Sequence, residues 1–290
     1  MAALRDIKRK IDAVKKTQQI TKAMNMVAAA RLRKMQQAME EFVPYAEKFT
    51  EVIGRVASGV NPEDFDLIRV REEISKIELV FLTADRGLCG GFNTNLLNLV
   101  EKFKAEKEEE GLQVSLTSLG KKGTSYFRHR KVPMRATYDG FLGAPNYEDA
   151  KKLGDELIGL FETGECEEVY LVYSHFYSVA RIRPSVIKLL PIEPKEQTEE
   201  DVFIEYIFEP SHAEVLNDLL PNAIYIKLLE SFYLTAVSEH AARMTAMDNA
   251  TNNCKDLIHD LTLTFNKARQ ASITKELMDI VGGVEALKKK

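Results

Sequence analysis

The stretch that decides the fold is SHAEVLNDLLPNAIYIKLLESFYLTAVSEH (Ser211–His240), which continues with no further Pro or Gly from Pro221 to Gly282. Ser211 and Glu214 have the spacing of a capping box, so a helix is expected to begin here. At 1.5 Å per residue, the stretch from Pro221 to Gly282 would form a helix of about 90 Å. A compact globule of this chain length has a radius of gyration of only about 19 Å. The helix is therefore expected to cross or project from a globular domain and to need a partner for its apolar stripe.

Both ends of the chain carry the heptad pattern of a coiled coil, in which apolar residues recur in steps of three and four. In the C-terminal helix the repeating positions are Tyr233, Val237, His240, Met244, Met247, Thr251, Cys254, Ile258, Leu261, Phe265 and Ala268. In a predicted N-terminal helix over residues 3–58 they are Ile7, Ile11, Val14, Ala28, Leu32, Met35, Met39, Phe42, Ala46, Phe49 and Ile53. The polar residues Gln18, Thr21 and Asn25 occupy the same register and are expected to fix the alignment of the helices. The two helices are predicted to pair antiparallel.

The middle of the chain changes period and predicts an α/β domain with a mostly parallel sheet. Strands at Ile77–Leu82, Val114–Leu119 and Val132–Thr137 alternate with helices at Phe92–Glu109, 121–130 and Glu148–Phe161. Two or three further strands, among Val169–Phe176, Ser185–Leu190 and Val202–Phe208, are predicted to form an antiparallel addition at one edge. The predicted division is therefore residues 1–60 as the N-terminal helix, 75–208 as the inserted domain and 211–290 as the C-terminal helix.

Composition restricts the class of protein. No apolar run approaches the roughly eighteen residues of a membrane span, so membrane association is expected only through partners. Cys89, Cys166 and Cys254 are far apart and odd in number, which argues against a disulfide framework or a zinc site and for a reducing compartment. The net charge of −4 hides a basic N-terminus, where residues 1–35 carry ten Lys or Arg against Asp6 and Asp12.

The basic N-terminal helix allows three interpretations. It could be a transit peptide, but the heptads continue from Ile7 into the rest of the helix with no small-residue cleavage site. It could bind nucleic acid as part of a coiled-coil scaffold, although it has no aromatic residues for base stacking. It could also face an acidic protein partner, where opposite charge aids association.

One loop has the composition of a phosphate-binding turn. Asp85-Arg86-Gly87-Leu88-Cys89-Gly90-Gly91 lies between a predicted strand and a predicted helix, whose N-terminus offers free N–H groups to anions. The loop lacks the Lys-Ser/Thr of a P-loop and the glycine spacing of the dinucleotide fingerprint. We therefore interpret it as a tight turn, with a nucleotide-binding enzyme as the alternative. The five histidines have no metal-ligand spacing, and no catalytic site, cofactor or metal is predicted.

Three segments together resemble one known family. ITKAMNMVAAARLRK (Ile20–Lys34), DRGLCGGFNTN (Asp85–Asn95) and KARQASITKELMDIVGG (Lys267–Gly283) are similar to the signatures of the gamma subunit of F-type ATP synthase, in its bacterial form. The likeness spans the whole chain. It implies long terminal helices that form an antiparallel coiled coil around an inserted Rossmann-like α/β domain. It also implies a rotor that transmits torque between a membrane ring and a catalytic hexamer, so that ATP is made from ADP and phosphate.

The resemblance also implies partners and contact residues. The partners would be the alpha and beta subunits of the hexamer, the epsilon subunit and the ring of c subunits, with no nucleic acid and with the membrane reached only through the complex. The implied subunit-contact residues are Arg269, Gln270, Thr274, Glu276, Met24 and Arg243. Two departures, the lack of a chloroplast-type cysteine insert and of a mitochondrial-type presequence, favour a bacterial enzyme at the cytoplasmic face of the plasma membrane.

Overall fold

The computed structural model describes residues 2–57, 61–71, 73–193 and 211–288. In the sequence, one long helix precedes and another follows a segment of alternating strands and helices. The elements are α1 (Ala2–Ala57), β1 (Lys76–Leu82), α2 (Phe92–Glu109), β2 (Gln113–Leu119), α3 (Lys121–His129), β3 (Ala136–Tyr138), α4 (Tyr147–Glu162), β4 (Glu168–Ser178), β5 (Arg181–Leu190) and α5 (His212–Lys288), with a short 3₁₀ helix at Pro62–Asp64. Among the described helices, none is both long enough and apolar enough to cross a membrane.

The chain folds into two compact units. The first, the coil unit, contains residues 1–28 and 244–290, and the second, the sheet unit, contains residues 29–243. The three segments predicted from the sequence were divided where helices and strands begin and end. The two units are divided by which residues pack together, so the threefold division stays a prediction.

The sheet unit contains one five-stranded sheet in the order β3-β2-β1-β4-β5. β1 is parallel to both β2 and β4, β2 is parallel to β3, and β5 alone among the described strands is antiparallel. The predicted mostly parallel α/β fold is therefore confirmed. The assignment of Val169–Phe176 to an antiparallel addition is wrong, because α4 precedes β4 and serves as the crossover that a parallel strand requires. The strand predicted at Val202–Phe208 lies outside the described residues.

The helices agree closely with the sequence patterns, and one strand does not. α2 has the predicted bounds, and α1 continues through Pro44. α5 begins where expected, since the Glu214 amide donates to Ser211 Oγ at 3.2 Å, and it continues through Gly282 and Gly283. β3 begins only at Ala136, because the Val132 amide donates to the carbonyl of Phe127 and closes the end of α3 instead.

The main core of the sheet unit lies between the sheet, α4 and parts of the long helices. Buried residues from each contribute to it, including Val56, Val80, Leu153, Leu171 and Phe232. A second cluster on the other face of the sheet includes Leu79, Phe81, Leu97 and Phe127, and packs α2 and α3. The parallel strands are thus covered on both faces, as their continuous apolar sequences require.

The coil unit is an antiparallel pairing of α1 with α5, as predicted. Thr21 Oγ1 lies 2.8 Å from Thr251 Oγ1, and Asn25 Nδ2 donates to the carbonyl of Met244 at 2.8 Å. Increasing numbers in α1 therefore meet decreasing numbers in α5. Ile11 and Ala28 are buried in the same seam, so the polar residues occupy the heptad register that the sequence indicated.

Two glycines of α4 provide a matched test of this packing. A Cβ at Gly154 would lie 2.4 Å from Cδ1 of Tyr225, whereas a Cβ at Gly159 would meet nothing within 4 Å. We expect Gly154→Ala to destabilise the protein by about 1–3 kcal/mol through overpacking. Gly159→Ala should be neutral or stabilise it by up to about 1 kcal/mol, because alanine favours the helix. Chemical denaturation of both variants measures these changes, and equal effects would contradict the close packing of α4 on α5.

Candidate functional site

The signature loop Asp85–Gly91 lies at the carboxyl end of β1, between that strand and α2. Asn93 in the first turn of α2 contacts the residue before the loop and a residue within it. Its Oδ1 accepts from the Ala84 amide at 2.9 Å, and its Nδ2 lies 3.2 Å from the sulfur of Cys89. Cys89 is buried and packs with Ala84, Phe92 and Ala242, and burial raises the pKa of its thiol. The loop is therefore folded around its cysteine.

Asp85 connects this loop to the ends of two other strands. Its Oδ1 accepts from the Lys121 amide at 3.0 Å, at the start of α3, and its Oδ2 accepts from the Gly140 amide at 3.1 Å, just after β3. The neighbouring Thr83 accepts from the Gly123 amide at 2.9 Å. The first amides of α3, which has no side-chain cap of its own, are thus satisfied by the segment that leads into the loop.

Arg243 on α5 connects the loop to the long helix. Its Nη2 donates to the carbonyls of Arg86 and Gly87, both at 3.2 Å, and lies 2.6 Å from Glu239 Oε1. We call Glu239, Arg243 and the two carbonyls the Arg243 bridge. Arg243 is 9% exposed, so its guanidinium is buried in the sheet unit and is not a solvated surface charge.

The electrostatics of the bridge favour the ionised carboxylate. Burial alone would raise the pKa of Glu239, but the adjacent His240 and Arg243 outweigh burial and hold that pKa below its usual range. His240 Nδ1 lies 2.9 Å from Glu239 Oε2, although that nitrogen is not aligned for a hydrogen bond. Glu239 and Arg243 therefore form a buried charged pair whose members depend on each other.

This arrangement occupies the place where related folds bind nucleotides. In open parallel sheets, ligands bind at the carboxyl ends of the strands, beside the point where the strand order reverses. Here that point lies between β1 and β4. Ser174 of β4 accepts from Ser238 Oγ at 3.2 Å, so α5 lies against β4 as well as against the loop. The geometry favours the tight-turn interpretation of the loop over a phosphate-binding one.

The remaining predicted contact residues lie in the coil unit. Arg269, Gln270, Thr274 and Glu276 are exposed on α5, and Met24 on α1 is partly exposed. Thr274 Oγ1 donates to the carbonyl of Gln270 at 3.0 Å, within one turn of the helix. These residues are separate from the Arg243 bridge, which is described within the sheet unit.

The residues that hold the loop were only partly visible in the sequence. Glu239 could have been found, because an acidic residue four positions before an arginine on a helix is a common pairing. Asp85 and Asn93 gave no comparable signal, since their carboxylate and amide oxygens accept from backbone amides.

Comparison with known proteins shows which family the chain belongs to. A family model described as ATP synthase matches residues 3–287. The ATP synthase gamma chain of Syntrophobacter fumaroxidans is 62% identical over the full length of both chains. The chain belongs to the ATP synthase gamma chain family. The ATP synthase gamma chain of Nitratidesulfovibrio vulgaris is 48% identical, over 99% of this chain and all of the relative. The predicted family is confirmed.

A solved structure supports the fold independently of close sequence identity. A chain of the Euglena gracilis mitochondrial ATP synthase, in its rotor in rotational state 1, superposes with a TM-score of 0.67. The match covers 94% of this chain and 99% of that chain at 19% identity. The α/β sheet and the two long helices are therefore a fold that this chain shares with a chain of that solved rotor.

The bridge gives a testable dependence of stability on pH. Because the pKa of Glu239 is lower in the folded chain, its contribution is present above the ordinary value of 4.5 and is lost as pH falls through the folded value. We expect Glu239→Gln to cost about 2–3 kcal/mol near neutral pH, because a buried charged hydrogen bond is lost. The difference from the native chain should be constant above about pH 5.5 and shrink below pH 4.5.

Glu230→Gln is the matched control, because Glu230 pairs with the half-exposed Lys227 on the same helix. Such an exposed pair contributes only about 0–1 kcal/mol. Free energies of unfolding measured between pH 3 and pH 8 compare the two variants. Parallel pH profiles for native and Glu239→Gln chains would show that the carboxylate is not held ionised by the fold.

Proposed function

We propose that this chain is the central rotor of an F-type ATP synthase. It transmits torque between an ion-driven ring of c subunits in the membrane and a catalytic hexamer of alpha and beta subunits. Rotation in one direction drives the synthesis of ATP from ADP and phosphate, and ATP hydrolysis drives the reverse. The chain itself carries no catalytic site, and it lies at the cytoplasmic face of the bacterial membrane, which it reaches only through the complex.

The proposal rests on the exposed apolar side chains at the C-terminal end of α5. They occur in a chain that is 62% identical to an ATP synthase gamma chain over its full length. Ile273, Leu277, Ile280 and Val284 continue the apolar spacing of the coil, and each is at least 50% exposed. Met278 and Val281 are exposed beside them. These residues form one broad apolar face, and an exposed apolar face of that kind marks an interaction site, so this end calls for an apolar surface supplied by other subunits.

The contact residues are assigned from the resemblance to the gamma subunit of F-type ATP synthase. Arg269 and Gln270 are exposed, polar and able to donate several hydrogen bonds, and Thr274 and Glu276 follow one to two turns later. We assign these four to contact with the hexamer, together with Met24 on α1. The basic face of α1 would meet acidic surfaces of the beta subunits, where complementary charge speeds association and fixes orientation.

An asymmetric shaft gives each catalytic subunit a different neighbour. Subunits that are identical in sequence can then be biased towards different conformations and affinities, since a partner shifts an equilibrium by its differential contacts. Turning the shaft exchanges those contacts in order. The epsilon subunit and the c ring would bind outside the hexamer, so that torque enters at one place and is used at another.

Reconstitution tests the proposal directly. Purified alpha and beta subunits are mixed with or without this full-length chain, and ATP hydrolysis and complex size are measured. We expect a single complex containing all three chains, with hydrolysis at least tenfold above alpha and beta alone. Failure to form that complex, or a chain that is retained on DNA at moderate salt instead, would support the coiled-coil scaffold.

A paired substitution tests the apolar end of α5. Ile273→Asp with Leu277→Asp should change the stability of the isolated chain by less than about 0.5 kcal/mol, because both side chains are exposed. In the complex, unpaired carboxylates would be buried, so half-maximal activation of alpha and beta should need roughly tenfold more chain. Val70→Asp, at a side chain that is 70% exposed in the sheet unit, is the control. Equal activation by all three chains would place the contact elsewhere.

A further inference from the structure

Arg243 is held through its Nε and Nη2 by groups of its own sheet unit. Its Nε lies 3.4 Å from the Gly87 carbonyl, and its Nη2 contacts Glu239 and the carbonyls of Arg86 and Gly87. The side chain is 10% exposed. A guanidinium that uses its planar fork for two carbonyls and a carboxylate is committed to those acceptors.

The signature loop, whose carbonyls bind Arg243, has two exposed side chains held in one arrangement. Arg86 is exposed, and Leu88 is 63% exposed. Leu88 has a φ of 64°, a conformation that is unfavourable for a residue with a branched side chain. Such a conformation persists only when its surroundings enforce it, and it is concentrated at functional segments.

The loop is held from both sides. Asp85 joins it to the starts of the segments after β2 and β3, and the Arg243 bridge joins it to α5. Cys89, which is 2% exposed, is the buried residue of the loop itself. Release of the bridge would free the carbonyls of Arg86 and Gly87 while leaving the Asp85 contacts in place.

We propose that Arg243 is a positioning residue that acts through the signature loop, and that it does not touch another subunit. Glu239 fixes the guanidinium, the guanidinium holds the carbonyls of Arg86 and Gly87, and the loop then presents Arg86 and Leu88 rigidly. This inference rests on the proposed rotor function, because a rigid loop matters where the chain must transmit torque. It assigns to Glu239 and Arg243 one shared role.

The first test measures opening of the loop in the isolated full-length chain. Cys89 is alkylated with iodoacetamide at constant pH, and labelling of each cysteine is followed by peptide mass spectrometry. We expect Arg243→Gln and Glu239→Gln each to speed labelling of Cys89 about tenfold or more, because a buried charged hydrogen bond is lost. Cys166, which is buried elsewhere in the sheet unit, should keep its native rate and serves as the internal reference.

Conservative and surface variants sharpen this test. Arg243→Lys keeps the charge but not the fork, so it should also speed Cys89 labelling, though less than Arg243→Gln. Arg130→Gln, which removes an exposed arginine paired with Glu101, should leave the rate unchanged. If Arg243→Gln does not fold, Glu239→Gln with Arg243→Lys carries the experiment. Native labelling rates in all bridge variants would overturn the proposal.

The second test measures coupling in the assembled complex. The ratio of ion-driven ATP synthesis to ATP hydrolysis should fall severalfold in Arg243→Gln and in Glu239→Gln, and the double variant should be no worse than the stronger single one. The KM for ATP should not change, because the catalytic subunits are intact.

Lost coupling with native Cys89 labelling would mean that Arg243 contacts another subunit directly. Faster labelling with normal coupling would mean that loop rigidity is not used. If the native chain fails to activate alpha and beta at all, the rotor proposal fails, whereas the labelling result still stands.

Discussion

The structure depends on burying the apolar stripe of α5, a helix of 77 residues. No single neighbour covers a helix of that length, and helices in proteins are stabilised mainly by burial of such a stripe. Its first part, including Leu216 and Phe232, is buried in the core of the sheet unit. Around Met247 and Thr251 it is buried in the coil unit, against α1. Between Ile273 and Val284, its large apolar side chains are exposed. The proposed function follows from this order, since the exposed end is where other subunits would enclose it.

A second consequence concerns the α/β sheet. A doubly covered parallel sheet normally leaves the carboxyl ends of its strands free to bind a ligand. Here Ser238 and Arg243 of α5 contact β4 and the loop after β1 at that place. The sheet therefore supports the long helix where related folds hold a cofactor. A Gly-rich turn that resembles a phosphate-binding loop instead connects the sheet to the helix through its carbonyl groups.

Much of the fold could be predicted because its signals are local and periodic. The bounds of α2, the heptad seam and the polar residues Thr21 and Asn25 all follow from spacing alone. The direction of β4 was missed, although α4 before it has the length of a crossover helix. The burial of Arg243 could not be predicted, because its partners lie 156 and 157 residues earlier and are carbonyl groups that any sequence carries. The residues at the far end of α5 were found through family likeness, and their contacts remain proposals because their partners belong to other chains.

Rotation of single complexes shows directly whether this chain turns inside the catalytic hexamer. The alpha and beta subunits are fixed to a surface, and a bead is attached to the sheet unit through Lys102→Cys, at an exposed position on α2. We expect sustained rotation in one direction when ATP is added, and none when alpha and beta are supplied without this chain or with ATP withheld. Active hydrolysis by a complex whose bead does not rotate would contradict the rotor function.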